Sequence, residues 1–207
     1  MKPPLRILIV DDHFFVRAGL KSSLESEPDL TICGEAANAA EALLAHSTLR
    51  PDLILLDLRL PDRDGLDLLE HLKNRDPSTQ VIVFSVDETE TDIARALEAG
   101  AAGYLPKSSP RSQLLAGIRA VAEGGTSFPP TIAAKFREHR SRTPLSPRER
   151  EILHLIVDGQ PNKLIAAALG ISENTVKLHV SNLLAKTDAP DRTSIVKLAI
   201  QRGWVRP

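Results

Sequence analysis

The chain is poor in cysteine and has no long apolar run, and both features exclude classes of protein. Cys33 is the single cysteine among 207 residues, so the sequence excludes an internal disulfide and gives no cysteine-based metal cluster. The unbroken apolar stretches are a few residues long, whereas a membrane-spanning helix needs about 20. The apolar run after Lys2 reaches two aspartates too soon to be the core of a signal peptide. We therefore expect a cytoplasmic chain with no membrane partner.

Charge is distributed unevenly, although the formal net charge is only −1. Residues 1–123 hold 13 basic and 20 acidic side chains, residues 124–143 hold 4 and 1, and residues 144–207 hold 9 and 6. An acidic front and a mildly basic rear predict two modules with different partners. The rear is too weakly basic for charge alone to identify a nucleic-acid partner, so that inference must rest on a motif.

Strand-length apolar runs alternate with helical patterns in the front part of the chain. The predicted strands are residues 5–10, 30–35, 52–57, 80–85 and 102–106. The predicted helices are residues 14–26, 38–47, 65–74, 88–99 and 110–123. Because right-handed crossovers place helices on both faces of a parallel sheet, residues 1–123 are expected to form a flavodoxin-like, doubly wound α/β domain with five parallel strands.

The composition changes after Gly125. Residues 124–144 are rich in proline and basic side chains and are expected to be a linker, with one short helix near residues 132–137. Four helical patterns and no strand pattern follow, at residues 147–157, 161–169, 172–186 and 192–203. Residues 145–207 are therefore expected to form an all-α domain of four helices.

Polar residues follow the predicted strands where parallel strands meet at one edge of a sheet. They are Asp11 and Asp12 after the first strand, Asp57 after the third, Ser85 at the end of the fourth and Lys107 after the fifth. Ligands of open α/β sheets bind at this edge. Several carboxylates together need a cation to stay ionised, and Mg²⁺ prefers carboxylate oxygens. A carboxylate can accept a phosphoryl group, which a hydroxyl and an ammonium group could then hold, so the pattern predicts Mg²⁺-dependent phosphoryl transfer.

This pattern resembles the receiver domain of two-component response regulators, over residues 5–123. The resemblance implies that Asp57 is the phosphoacceptor, that Ser85 and Lys107 bind the phosphate, and that Tyr104 is a switch aromatic that changes rotamer. It implies a metal site formed by Asp11, Asp12, Asp57 and the backbone carbonyl of Arg59.

The rear domain contains the signature of a helix-turn-helix. The segment from Leu169 to Ser172 joins two helical patterns; its glycine permits a tight turn and its serine can cap the second helix. The second helix carries an apolar stripe, formed by Val176, Val180, Leu183 and Leu184. Lys177, Leu178 and Ser181 fall on the opposite face, which suits contact with base edges in a major groove.

This module resembles the LuxR-type helix-turn-helix over nearly all of residues 145–205. The resemblance implies base contacts from Lys177, Leu178 and Ser181. It implies phosphate contacts from seven further residues: Asn162, Lys163, Asn174, Thr175, His179, Asn182 and Lys186.

Together the two halves resemble a response regulator of the NarL/FixJ type, with a receiver domain (1–123), a linker (124–144) and a DNA-binding domain (145–207). The resemblance implies a sensor histidine kinase and double-stranded promoter DNA as partners, with RNA polymerase as a further candidate. It also implies a homodimer promoted by phosphorylation. The receiver would take part in phosphotransfer and self-dephosphorylation without being a dedicated enzyme.

Other classes of protein share parts of this pattern. A phosphatase of the haloacid-dehalogenase type needs a second aspartate two residues after the first, where this chain has Arg59. A ligand-sensing LuxR regulator would share the rear domain but not the front acid cluster. A receiver used only for protein contacts would not need the full set of acids, serine and lysine. For the rear domain, a small helical bundle that binds protein is the alternative.

Overall fold

The computed structural model describes residues 3–86, 89–141 and 144–205, and its contacts divide the chain into two compact units. The first unit contains the sheet and comprises the residues up to position 88 and Asp92–Phe136, and the second comprises Thr89–Thr91 and the residues from Arg137 onward. Over the residues so described, no helix combines the length and the apolar character needed to cross a membrane.

A five-stranded parallel sheet forms the centre of the first unit, in the order β2-β1-β3-β4-β5. The strands are β1 (Leu5–Val10), β2 (Leu30–Ala36), β3 (Leu53–Leu56), β4 (Gln80–Ser85) and β5 (Gly103–Pro106). The chain reverses its direction of winding between β1 and β3, which is where doubly wound sheets bind ligands. The predicted flavodoxin-like architecture with five parallel strands is confirmed.

Within the described residues, five helices cover this sheet. They are α1 (Phe14–Leu24), α2 (Ala39–Leu49), α3 (Gly65–Arg75), α4 (Glu90–Glu98) and α5 (Arg111–Ala122). Side chains alternate between the two sheet faces: Ile7 and Ile9 pack in a cluster with residues of α1 and α5, and Leu8 and Val10 in a cluster with residues of α2, α3 and α4. Since β1 is buried on both faces, its unbroken aliphatic run is what a central parallel strand requires.

The first part of the expected linker is packed onto the first unit. Ser127 lies beside β5, where its N–H donates to the carbonyl of Ala102 and its own carbonyl accepts from the N–H of Tyr104, both at 2.9 Å. Helix α6 (Pro130–Ser141) is longer than the short helix that the sequence predicts. Its Ile132 is fully buried in the cluster on the α2, α3 and α4 side. Residues 142 and 143 of the expected linker lie outside the described residues.

In the described part of the second unit, four helices surround a separate apolar core. They are α7 (Pro147–Val157), α8 (Asn162–Leu169), α9 (Glu173–Thr187) and α10 (Arg192–Gln201). Ile152, Ile165, Val176, Leu183 and Ile195 are fully buried in this core. The predicted four-helix domain is confirmed.

Gly65 occupies a position where the chain passes too close to itself for a side chain. A Cβ there would collide with the carbonyl oxygen of Asp57 and would lie 2.6 Å from the Cα of Leu58. Both neighbours are backbone atoms in the buried loop after β3. We expect Gly65→Ala to lower the free energy of unfolding by about 1–3 kcal/mol, measured by urea denaturation with far-UV circular dichroism.

The matched control is Gly19→Ala within α1, where nothing lies within 4 Å of the added methyl group. Alanine is favoured over glycine in a helix by about 0.5–1 kcal/mol, so this variant should be as stable as the wild type or more so. Equal stability of the two alanine variants would contradict the close approach at Gly65.

Candidate phosphoryl-transfer site and nucleic-acid interface

Two buried carboxylates share one lysine at the C-terminal edge of the sheet. Asp11 follows β1 and Asp57 follows β3, and the parallel pairing of these strands brings both to the same edge. Each aspartate is only 2% exposed. Lys107 follows β5, and its Nζ lies 2.6 Å from Oδ2 of Asp11 and 2.7 Å from Oδ2 of Asp57. The N–H of Lys107 donates to the carbonyl of Ser85 at 2.9 Å, which fixes the base of the lysine side chain.

One ammonium group does not satisfy two buried carboxylates. Burial works to lower the pKa of Lys107, but hydrogen bonds and attraction from Asp11 and Asp57 outweigh it, so the pKa is raised and the lysine stays charged. Oδ2 of Asp11 is paired with the ammonium, whereas Oδ1 of Asp57 is buried and accepts no hydrogen bond from any described group. An unpaired buried oxygen of this kind favours an additional cation.

The acid cluster has the composition of a divalent metal site. Asp11, Asp12, His13 and Asp57 each offer one ligand atom, and these atoms all lie within 4.8 Å of one another. Asp12 is exposed, and its Oδ1 lies 2.6 Å from Nδ1 of His13. The predicted acids are thus together, and the unpaired Oδ1 of Asp57 fits a cation that binds oxygen. His13 was not predicted as a metal ligand, because no other histidine of the sequence lies at metal-ligand spacing from it. The sequence signal that could have identified it is its position directly after the two acids.

The remaining residues predicted for this site lie on the elements that surround it. Ser85 is fully buried at the end of β4, next to the strand that leads to Asp57. Tyr104 is fully buried within β5, in the core cluster on the α2, α3 and α4 side. The backbone of Arg59 pairs with Asp64 in the loop before α3, and its guanidinium lies 3.8 Å from a carboxylate oxygen of Asp92 in α4. The roles assigned to these residues remain predictions.

In the second unit, α8 and α9 form the predicted helix-turn-helix. Gly170 ends α8 in the left-handed region, with φ 63°. Ser172 caps α9 by accepting a hydrogen bond from the N–H of Thr175 at 3.1 Å. Leu178, in α9, is 60% exposed, and Lys177 and Ser181 are exposed beside it. An exposed leucine flanked by polar residues is a surface suited to base edges.

The seven predicted phosphate contacts are all fully or partly exposed on the surface of the unit. For Lys163, Asn174, His179 and Asn182 this exposure fits the predicted role. The other three have a side-chain atom bonded within the protein. Oδ1 of Asn162 accepts from Arg192 at 2.9 Å, and the hydroxyl of Thr175 lies 2.8 Å from that of Ser172. Nζ of Lys186 lies 2.8 Å from Oε2 of Glu149.

Two family models match this chain. A model of the response regulator receiver domain matches residues 7–119, and a model of the bacterial regulatory proteins of the luxR family matches residues 143–199. The nitrate/nitrite response regulator NarL of Escherichia coli strain K12 is 41% identical over 198 residues, which cover 91% of this chain and 92% of NarL. The chain belongs to the NarL/FixJ-type response regulators. As a member of this family, it joins a receiver domain to a LuxR-type DNA-binding domain and regulates transcription.

Other similar proteins agree with this assignment. The response regulator VraR of Staphylococcus aureus strain NCTC 8325 is 35% identical over 207 residues, which cover 98% of this response regulator and 99% of VraR. The crystal structure of ChrA, from a heme-sensing two-component system, is 35% identical, with a TM-score of 0.59 over 99% of this chain and 100% of that chain. RcsB of Salmonella enterica serovar Typhimurium, bound to promoter DNA, is 22% identical with a TM-score of 0.76, and the alignment covers 96% of this chain and 98% of that chain. At this identity the likeness supports the fold alone.

The excess negative charge of the acid cluster should lower stability when no metal is bound. Asp11→Asn leaves one buried carboxylate for Lys107 and removes the repulsion between two like charges. We expect the free energy of unfolding in EDTA to rise by about 1 kcal/mol in this response regulator, measured by urea denaturation. Glu98→Gln is the control, because Glu98 is exposed on α4 and should change stability by less than about 0.5 kcal/mol. A loss of stability in Asp11→Asn would contradict the excess negative charge of the cluster.

Proposed function

We propose that a sensor histidine kinase phosphorylates this response regulator on Asp57 and thereby controls its binding to promoter DNA. The observation that carries the proposal is a pair of buried carboxylates that share Lys107, with Oδ1 of Asp57 left unpaired. A structural ion pair would match one acid with one base. An acid cluster left short of positive charge favours the binding of a cation and the phosphoryl group that the cation accompanies.

We propose Mg²⁺ as the cation, held by Asp12 and Asp57, with support from Asp11 and the backbone carbonyl of Arg59. The donor set supports this choice, because carboxylate and carbonyl oxygens are the ligands that Mg²⁺ prefers. When bound, the ion would screen the negative charge of the cluster and of an incoming phosphoryl group. The unpaired Oδ1 of Asp57 is the atom that such an ion would satisfy.

In the proposed transfer, a carboxylate oxygen of Asp57 forms a bond to phosphorus as the bond between phosphorus and the imidazole nitrogen of the kinase breaks. Lys107 is already beside Asp57 and remains charged, so its ammonium is placed to bind an oxygen of the transferred group. Ser85 is expected to donate its hydroxyl to the same group. Transfer of this kind depends on positioning and charge, which is what these side chains provide.

We propose that phosphorylation shifts the receiver domain between two states. Ser85 and Tyr104 would move toward the phosphate and reshape the surface formed by α4 and β5, and the new surface would favour a homodimer. Two copies of α9 would then bind paired half-sites in promoter DNA, with RNA polymerase as a further candidate partner. The structure of RcsB, which shares this fold, was determined on promoter DNA in the presence of the phosphate mimic BeF₃⁻.

We further propose that the chain is not a dedicated enzyme. Its chemistry would be limited to accepting a phosphoryl group and losing it again by hydrolysis. Both proposed partners, the phosphohistidine of a kinase and promoter DNA, are met in the cytoplasm, and we place the chain there.

The phosphoacceptor is tested by intact mass after incubation with acetyl phosphate and Mg²⁺. We expect one acid-labile phosphoryl adduct on the wild type and none on Asp57→Asn, because an amide cannot accept the group. Asp62→Asn, in the loop after Asp57, serves as the control and should keep the adduct. An adduct on Asp57→Asn, or none on the wild type, would contradict phosphorylation at this residue.

The base-reading role of α9 is tested with the duplex that the wild type selects from a random pool. We expect Lys177→Ala to weaken binding to this duplex by about 1–3 kcal/mol, roughly 5- to 150-fold, and to relax the preferred base at one position. Lys197→Ala, exposed on α10, is the control and should bind within about threefold of the wild type. Unchanged specific binding by Lys177→Ala would remove it from the base contacts.

A further inference from the structure

Lys186 lies in the last turn of α9, and its charge is directed toward the interior of the second unit. Its Nζ lies 2.8 Å from Oε2 of Glu149, a residue in the first turn of α7. The side chain of Glu149 is 4% exposed, whereas that of Lys186 is 29% exposed. The pair therefore consists of a buried carboxylate and a half-buried ammonium group that neutralises it.

Glu149 also forms hydrogen bonds with Ser146, at the start of the domain. The same Oε2 accepts a hydrogen bond from the N–H of Ser146 at 2.8 Å, and the hydroxyl of Ser146 accepts from the N–H of Glu149 at 3.3 Å. Nζ of Lys186 lies 3.5 Å from the carbonyl oxygen of Pro144. These contacts join the segment that enters the domain, the first turn of α7 and the last turn of α9 at one point.

The electrostatics of Glu149 depend on Lys186. Burial works to raise the pKa of Glu149, but the hydrogen bond from Lys186 and the cap with Ser146 outweigh it, so the pKa is lowered. A carboxylate that is buried and ionised is costly without a partner, and removal of one member of a buried pair is strongly destabilising. A DNA phosphate that drew the ammonium of Lys186 away would leave the buried, ionised carboxylate of Glu149 without a partner.

We propose that Lys186 is a positioning residue that sets the recognition helix α9 against α7, and that it does not bind a DNA phosphate. This inference rests on the proposed function, in which α9 enters the major groove. The two lysines then have different roles. Lys163 is exposed at the start of α8 and keeps the phosphate contact that the sequence predicts, whereas Lys186 does not.

Fluorescence of the full-length protein can follow the second unit separately. Trp204 is the single tryptophan of the chain and packs against the core of this unit. We expect Lys186→Met to lower the midpoint of the Trp204 thermal transition by at least about 5 °C, because it leaves the buried carboxylate of Glu149 without a positively charged partner. The double variant Glu149→Gln/Lys186→Met should recover most of this loss, since glutamine is neutral and can still accept the bond from Ser146.

DNA binding distinguishes a positioning role from a phosphate contact. The probe is a random-sequence 30-base-pair duplex, and its affinity is measured at several salt concentrations. Each phosphate contact contributes about 0.9 to the slope of log affinity against log salt. We expect Lys186→Met to bind more weakly with the wild-type slope, and the double variant to recover the affinity. The control Lys163→Met should keep the wild-type transition of Trp204 and lose about 0.9 from the slope.

Two results would overturn the proposal. One is a Lys186→Met protein with the wild-type thermal transition and a slope reduced by about 0.9, the behaviour of a phosphate contact. The other is a double variant that regains its thermal transition but not its affinity, because the lost contact would then be with DNA. A wild type that does not bind the duplex is a separate outcome: it would overturn the proposed binding of DNA by α9 and affect all variants alike.

Discussion

The receiver domain depends on one ammonium group placed between two buried carboxylates. Lys107 contacts Asp11 and Asp57 at hydrogen-bond distance, and it reaches them because the parallel register of the sheet brings the ends of β1, β3 and β5 to one edge. The close approach of Gly65 to the residues after β3 shapes the loop that follows Asp57. Since one positive charge is shared by two negative charges, the site keeps an excess of negative charge. This excess favours the binding of the proposed metal ion.

The second unit places its buried charge differently. Glu149 has its own lysine and its own capping bonds, so this carboxylate is neutralised and held in one geometry. A satisfied buried pair contributes rigidity and orientation, whereas an unsatisfied cluster contributes affinity for a ligand. The two units of this response regulator thus contain both arrangements, and the difference follows from how many cations face each buried carboxylate.

Most of the fold could be predicted from the sequence because its signals are local. Unbroken aliphatic runs identify strands such as β1 and β3, and the strand ends lie within one residue of their predicted positions. Capping residues such as Ser146 and Ser172 mark the starts of α7 and α9, since their hydroxyls accept the first free N–H groups of the helix. The burial of Ile132 at the start of α6 was not predicted, because it is a contact with a distant part of the chain.

The sequence by itself determined the order of strands and helices, the residues that follow each strand, and the exposed face of α9. These properties depend on backbone propensity and on the periodicity of apolar side chains, which act over a few residues. The tertiary structure alone decided that Oδ1 of Asp57 is left unpaired, that His13 lies in the acid cluster, and that Lys186 faces Glu149. Each of these depends on the distance between atoms from different elements, and that distance is set by how the elements pack.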